Sequence, residues 1–160
     1  MRKGLALDDV NLVVPKGGIV ALLGANGAGK TTLFNCITGM IAPTQGAVRF
    51  EGRDIASFGA HRISRFGISR TFQNLALFGG LTVLENLMVG AHQRGRSELI
   101  RRVRRDLGLT VLIVEHDIPG IMNISDKIVV LDFGVKIAEG TPPEVRSNPA
   151  VIAAYRGAEA

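Results

Sequence analysis

The stretch Gly24-Ala25-Asn26-Gly27-Ala28-Gly29-Lys30-Thr31-Thr32 follows directly on the apolar run Ile19-Val20-Ala21-Leu22-Leu23. An apolar run of this length, entered through the turn residues Lys16-Gly17-Gly18, fits a strand buried on both faces in a parallel sheet. Beyond the glycines, Leu33, Phe34 and Ile37 recur at helical spacing, which predicts a helix over 30–38 that stops at Gly39, a residue suited to a C′ position. The stretch matches G-x-x-x-x-G-K-S/T at every fixed position, a coincidence expected on the order of once in a hundred chains this rich in glycine. Its place between a buried strand and a helix is where phosphate chemistry needs it. The glycines let successive backbone N–H groups from Gly27 to Thr32 turn toward one anion, and the helix N-terminus adds its positive dipole end. Lys30 is placed to reach the β- and γ-phosphates of a nucleoside triphosphate, and the Thr31 hydroxyl to ligate Mg²⁺. The candidate phosphate contacts are Gly24, Asn26, Gly27, Ala28, Gly29, Lys30, Thr31 and Thr32.

Outward from this loop the chain alternates strands and helices. Val10–Val14 reads as a strand, 47–50 with Glu51-Gly52 as a hairpin, 60–65 as a short helix and 68–72 as a further strand. Helical spacing marks 83–91 and 98–107, the second ending at Gly108. A strand over 110–115, a helix over 118–124, paired strands over 128–132 and 135–139 joined at Phe133-Gly134, and short helices over 142–146 and 150–155 complete the chain. This order predicts an α/β fold with a mainly parallel sheet flanked by helices. With 160 residues, a single domain over 1–160 is expected.

Composition excludes several classes. The apolar stretches fall far short of the roughly 20 residues that span a bilayer, and only Arg2 and Lys3 precede a polar segment, so neither a membrane span nor a secretory leader is expected and a cytoplasmic location fits. Cys36 is the single cysteine, which removes internal disulfides and cysteine-cluster metal sites and leaves packing as its expected role. The net charge of +5 is concentrated in Arg94, Arg96, Arg101, Arg102, Arg104 and Arg105. Leu99, Ile100, Val103 and Leu107 recur at helical spacing among them, so the arginines are expected on a solvated face. No aromatic residues interleave them as single-strand nucleic-acid binding requires, and no nucleic-acid partner is expected.

The loop alone serves GTPases, small-molecule kinases and ATPases. Asn123-Ile124-Ser125-Asp126 mimics the guanine motif N-K-x-D but lacks its lysine. Asp132-Phe133-Gly134 mimics the kinase D-F-G, yet the chain contains no H-R-D loop. The first is discounted, and the second reads as a decoy turn.

Two further stretches resolve the choice by resemblance. Together with Gly24–Thr32, Ser69-Arg70-Thr71-Phe72-Gln73-Asn74 and Val114-Glu115-His116-Asp117 resemble an ABC transporter ATP-binding subunit. Leu77-Phe78, Leu81-Thr82-Val83-Leu84-Glu85-Asn86-Leu87 and the tail Gly140-Thr141-Pro142, Glu144-Val145-Arg146, Asn148-Pro149, Ile152 and Tyr155 resemble its branched-chain amino acid importer branch. The resemblance covers nearly the whole chain. It implies a P-loop NTPase-like fold with a small N-terminal antiparallel β portion. It also implies ATP with Mg²⁺ as cofactors, and as partners the transporter's membrane subunits and a second ATP-binding subunit. The place so implied is peripheral to the inner face of the cell membrane. Gln73 matches the glutamine that contacts Mg²⁺ and the attacking water, and His116 the switch histidine that contacts the γ-phosphate.

The same resemblance exposes departures. Between Gln73 and His116 the family carries a helical subdomain, an L-S-G-G-Q-type signature, an apolar strand ending in Asp-Glu, and a D-loop. Here His92-Gln93-Arg94-Gly95-Arg96 runs almost directly into Glu98-Leu99-Ile100-Arg101-Arg102-Val103, as after an internal deletion. Ile128-Val129-Val130-Leu131-Asp132 looks like the Asp-bearing strand, but its place after the histidine matches a later one, so Asp132 is expected to be structural. Loss of the Asp removes a Mg²⁺ anchor, and loss of the Glu removes a general base worth roughly 10²- to 10⁴-fold. Without the signature, a homodimeric sandwich of ATP is incomplete. The family's first strand and its adenine-stacking aromatic have no counterpart before Leu5, a loss of roughly 1 to 3 kcal/mol in base affinity. The expectation is an ATP-binding subunit with weak or no hydrolysis, beside a non-hydrolysing regulatory module and an incomplete gene product with an exposed sheet edge.

Overall fold

The structure, a computed structural model, describes residues 5–70, 101, 104–114 and 118–156. Its centre is β1 (Ile19–Leu23), in which every residue is buried. On one side β1 pairs in parallel with β4 (Val111–Val114), and on the other in parallel with β5 (Lys127–Asp132). A tight turn then reverses the chain into β6 (Val135–Gly140), antiparallel to β5, giving the order β4-β1-β5-β6. The turn residues Phe133 and Gly134 both have positive φ, 43° and 81°, as a two-residue hairpin of right-handed twist requires. Asp132-Phe133-Gly134 is thus the structural turn its sequence suggested. A separate two-stranded antiparallel piece, β2 (Arg49–Phe50) with β3 (Arg53–Asp54), forms the small amino-terminal β portion.

Period-2 alternation divides the core. Ala21, Leu23, Ile128 and Val130 face one way and pack with Ile121, Val145 and Val151. These come from α3 (Ile118–Ile124), α4 (Pro142–Arg146) and α5 (Pro149–Arg156). Val20, Leu22, Val129 and Leu131 face the other way, under Leu33 and Phe34 of α1 (Lys30–Ile37) and under Leu7, Val10, Leu12 and Val14. The central strands are apolar throughout because both faces are covered. α1 ends as expected, at Thr38 with Gly39 in the left-handed region (φ 68°). Cys36 is buried and unpaired, in its expected packing role.

Three expectations are corrected. Val10–Val14 forms no strand: its alternation is real, with Val10, Leu12 and Val14 half-buried, but these side chains lie on the sheet face instead of adding a ladder. Residues 68–70 are irregular, because the Arg70 guanidinium turns back to the Asn35 carboxamide (2.5 Å) and over the Phe34 ring. The rest of that expected strand and the 83–91 helix lie outside the described residues. In the arginine segment the backbone is helical at 101 and 104–107 and turns at Gly108 (φ 61°), but its faces differ from the expectation. Arg104 donates to the Gly17 carbonyl and lies 3.7 Å from Asp126, whereas Leu107 is two-thirds exposed. The guanidinium finds an acceptor at the start of β1, which outweighs the leucine's preference for burial.

Asp126 completes that corner. Its carboxylate accepts from the Ile19 N–H at 2.7 Å, and its own N–H donates to the Ile19 carbonyl. It therefore caps the entry of β1. α2 (Ala60–Ser64) packs Ile63 inward, and its neighbours Phe58 and Phe66 stack at 5.7 Å beneath Arg53. Among the described residues no helix is long and apolar enough to cross a membrane.

Candidate functional site

β1 ends at Leu23, and Gly24–Gly29 wraps the carboxyl end of the sheet before α1 begins at Lys30. The backbone needs glycine at two of the motif positions. Gly24 has φ 153°, and a Cβ there would lie 2.4 Å from the Leu131 carbonyl oxygen of β5. Gly29 has φ 97°, and a Cβ would sit 2.8 Å from Leu7 Cδ2 and 2.9 Å from the Ala6 carbonyl. The loop is thereby pinned to β5 at its start and to the amino-terminal segment at its end. Ala28 anchors its middle: its methyl is buried against Leu131 and Val129, and its carbonyl accepts from the Gly134 N–H at 3.0 Å.

Lys30 is 7% exposed, and its ammonium donates to the Gly24 carbonyl (2.7 Å) and the Ala25 carbonyl (2.8 Å). The amine thus lies inside the loop, where an anion would be held. Burial lowers its pKa from the ordinary lysine value, since removing water penalises the charged form. An incoming phosphate would restore the lost solvation by charge-assisted hydrogen bonding. Asn26, Gly27 and Thr31 are exposed around the amine, and Thr32 is half-buried. No side chain caps α1, so its amino-terminal N–H groups are satisfied by water or by a ligand. The Ala28 N–H donates to Ala25 at 3.2 Å in this state and would have to turn to serve phosphate.

These features fit a Mg²⁺-bound triphosphate: a cation in the loop, an open helix terminus and a hydroxyl at Thr31. When bound, Mg²⁺ neutralises charge on the β- and γ-phosphates. Gln73 and His116 lie outside the described residues. β4 does bring the chain to the loop's end of the sheet, since Val114 pairs in register with Leu22, and His116 follows in sequence.

Two neighbours of the loop were not legible in the sequence as site residues. Asp132 and Tyr155 lie beside Gly24 and Ala25. Asp132 reads as the end of a hairpin strand and Tyr155 as a tail residue. The pairing of β5 beside β1 brings Asp132 to the loop, and the return of α5 onto the same core brings Tyr155.

Comparison with known proteins agrees with this arrangement. Residues 7–125 match the ABC transporter family, and residues 135–159 match the branched-chain amino acid ATP-binding cassette transporter family. The high-affinity branched-chain amino acid transport ATP-binding protein BraF of Pseudomonas aeruginosa is 32% identical over 241 residues, covering 98% of this chain and 94% of BraF. LivG of Escherichia coli K12, with the same description, is 30% identical with the same coverage. These alignments run over 241 residues against the 160 of this chain, so the relatives carry residues inside the aligned span that have no counterpart here. Among solved structures, a nucleotide-free ATP-binding cassette superimposes with a TM-score of 0.76 at 23% identity, covering 94% of this chain and 92% of the other. An ATP-binding cassette in its ADP conformation gives 0.74 at 25% identity, covering 95% and 92%. Loop, sheet order and sequence together place this chain in the ABC transporter family, as an ATP-binding subunit of its branched-chain amino acid importer branch.

Proposed function

We propose that this chain binds MgATP at Gly24–Thr32 as the nucleotide-binding subunit of a branched-chain amino acid importer, and that on its own it hydrolyses ATP poorly or not at all. The observation that carries the binding half is the buried Lys30 ammonium, held within the loop by two carbonyls. Lys30 turns from those carbonyls to the β- and γ-phosphates, and the Thr31 hydroxyl holds the metal side of the same phosphates. Gly24, Asn26, Gly27, Ala28, Gly29 and Thr32 shape the backbone cradle. Gln73 and His116 supply the metal contact and the γ-phosphate contact by resemblance.

The hydrolysis half rests on the missing block between Gln73 and His116, which in the family holds the general base, a Mg²⁺ anchor and the signature. A second, complete ATP-binding subunit would supply the signature in a mixed dimer. The transporter's membrane subunits would hold the assembly at the inner face of the membrane.

Lys30→Ala removes charge-assisted hydrogen bonds worth about 1.5–3 kcal/mol, so equilibrium titration with MgATP is expected to show affinity lower by about 10- to 150-fold. Equal affinity in both proteins refutes binding at this loop. Steady-state turnover at ordinary ABC rates, abolished by the same substitution, refutes the deficit in hydrolysis.

A further inference from the structure

The triphosphate loop leaves the carboxyl end of β1. At the other end of the sheet the parallel strands β4, β1 and β5 begin side by side, and the segments that lead into them border a cavity of about 520 Å³. Its remaining wall is the arginine segment, through Arg101, Arg104 and Arg105. The i, i+3 and i+4 spacing of these residues puts them on one face of a helix.

Arg104 serves the fold, donating to the Gly17 carbonyl at 2.5 Å and lying 3.7 Å from Asp126, whose carboxylate accepts from the Ile19 N–H. Arg101 and Arg105 bring two more cations to the same wall. Against these three guanidinium groups the wall sets one carboxylate, Asp126, and the carboxyl end of α3, worth at most about half a negative charge. The cavity therefore carries an excess of about 1.5 positive charges. Asp106, next along the arginine segment, is exposed, where solvent screens it.

A second observation is independent of charge. Ser125, also on this wall, is 9% exposed, and its N–H donates to the Ile121 carbonyl at 3.1 Å. Its hydroxyl is the one buried side-chain polar atom without a hydrogen-bond partner among the described residues. Buried hydroxyls are seldom left unsatisfied. A serine hydroxyl swings between staggered rotamers, so a ligand seated on this wall can supply the partner it lacks.

We propose that this cavity is a second anion site, at the opposite end of the sheet from the triphosphate loop, and that it takes a small phosphorylated molecule. Arg101 and Arg105 hold the phosphate, the Ser125 hydroxyl donates to it, and the exposed Asn123 carboxamide on the same wall serves the rest of the ligand. Guanidinium forks match phosphate oxygens in pairs, and a phosphate dianion answers the excess of positive charge. The volume lies within the roughly 300–1,000 Å³ of small-molecule sites and exceeds what phosphate alone fills. Occupancy ties the arginine segment to the segments ahead of β1 and β5, so it stabilises the fold.

The test titrates inorganic phosphate, and separately glycerol phosphate, into the full chain carrying Lys30→Ala, with chloride at matched ionic strength as the blank, following both heat and melting midpoint. Saturable binding that raises the midpoint, and that is tighter for glycerol phosphate, is expected. In the same background Arg101→Ala and Arg105→Ala are expected to weaken it by about 10-fold or more, and Ser125→Ala by about 2- to 13-fold. Arg49→Ala, an equal loss of charge at an exposed position of β2, is expected to leave it unchanged. Without phosphate, Ser125→Ala is expected to melt no lower than its parent, since it removes an unsatisfied hydroxyl. Binding that is absent in the Lys30→Ala chain, equal weakening by Arg49→Ala, weaker binding of glycerol phosphate than of inorganic phosphate, or a lower phosphate-free midpoint in Ser125→Ala each overturns the proposal, and none of them touches the MgATP reading.

Discussion

β5 and β4 flank β1 on opposite sides, both parallel to it and both apolar: Ile128-Val129-Val130-Leu131 against Val111-Leu112-Ile113-Val114. Their fates differ. Those residues of β5 are at most 1% exposed, whereas all of β4 is only half-buried. β5 has β6 beyond it and helices beneath it, while β4 has β1 as its one ladder neighbour among the described residues. An apolar strand is buried by what its neighbours cover, and its own composition does not guarantee the cover. The functional consequence is that the well-packed side carries the loop. Leu131 sets the position of Gly24, and the hairpin after β5 ties Ala28 through Gly134. β4, which leads to His116, lies on the less protected side.

The contrast can be broken most forcefully by trimming the same residue type on each strand. Ile128 and Ile113 pack on the same core cluster. Ile128→Ala is expected to destabilise by about 3–5 kcal/mol, and Ile113→Ala by less than about 2, since partial burial leaves a smaller cavity and less transfer energy. Urea denaturation of the two variants measures the difference, and equal losses would show that β4 is as well covered as β5.

A charge on the half-buried strand sharpens the comparison from the other side. Leu112→Lys on β4 is expected to reduce concentration-dependent aggregation at a cost of about 1–2 kcal/mol, because charges on edge strands discourage pairing between chains. Light scattering against concentration reads this, and no change would mean that the β4 edge is not what associates.

A smaller effect is expected at the support of β6. Thr141 and Glu144 form a capping box at α4, with the Glu144 carboxylate accepting from both the Thr141 N–H and its hydroxyl at 2.7 Å. Thr141→Ala is expected to cost about 1 kcal/mol, visible as a lower melting midpoint.

The smallest effect concerns acid. Glu139 of β6 bonds Lys127 of β5 (2.7 Å) and Lys136, and these hydrogen bonds lower its pKa below the ordinary 4.5. A lowered folded-state pKa contributes stability above the unfolded value, which is lost as pH falls through the folded one. Exposure limits the gain to under about 1 kcal/mol. Compared with the wild type, Glu139→Gln is expected to melt slightly lower at pH 7, with a difference that shrinks as the pH falls below 4.5.

Most of the architecture was legible in the sequence. The continuous apolar runs marked β1, β4 and β5 within a residue or two, and Phe133-Gly134 between two strand-like runs marked the hairpin, whose two positive φ values the structure then showed. Val10–Val14 was misread because alternation reports one buried face and cannot say whether a ladder or a sheet face provides the burial. Arg104 was misread because helical periodicity orders residues around an axis and is blind to a distant acceptor such as the Gly17 carbonyl. In the site, Lys30 and the glycines were evident from spacing, whereas Tyr155 and Asp132 were not.

The sequence by itself determined the loop, since the strand, the glycines and the lysine are neighbours along the chain and local backbone chemistry specifies their geometry. It also determined family membership, which rests on the order of motifs. Only the tertiary structure decided that β5 lies against the start of the loop at Gly24, and that a helix some 130 residues away in sequence comes beside Gly24. Those contacts depend on which strand pairs beside β1 and how α5 returns across it, a long-range choice made by packing that no local pattern encodes.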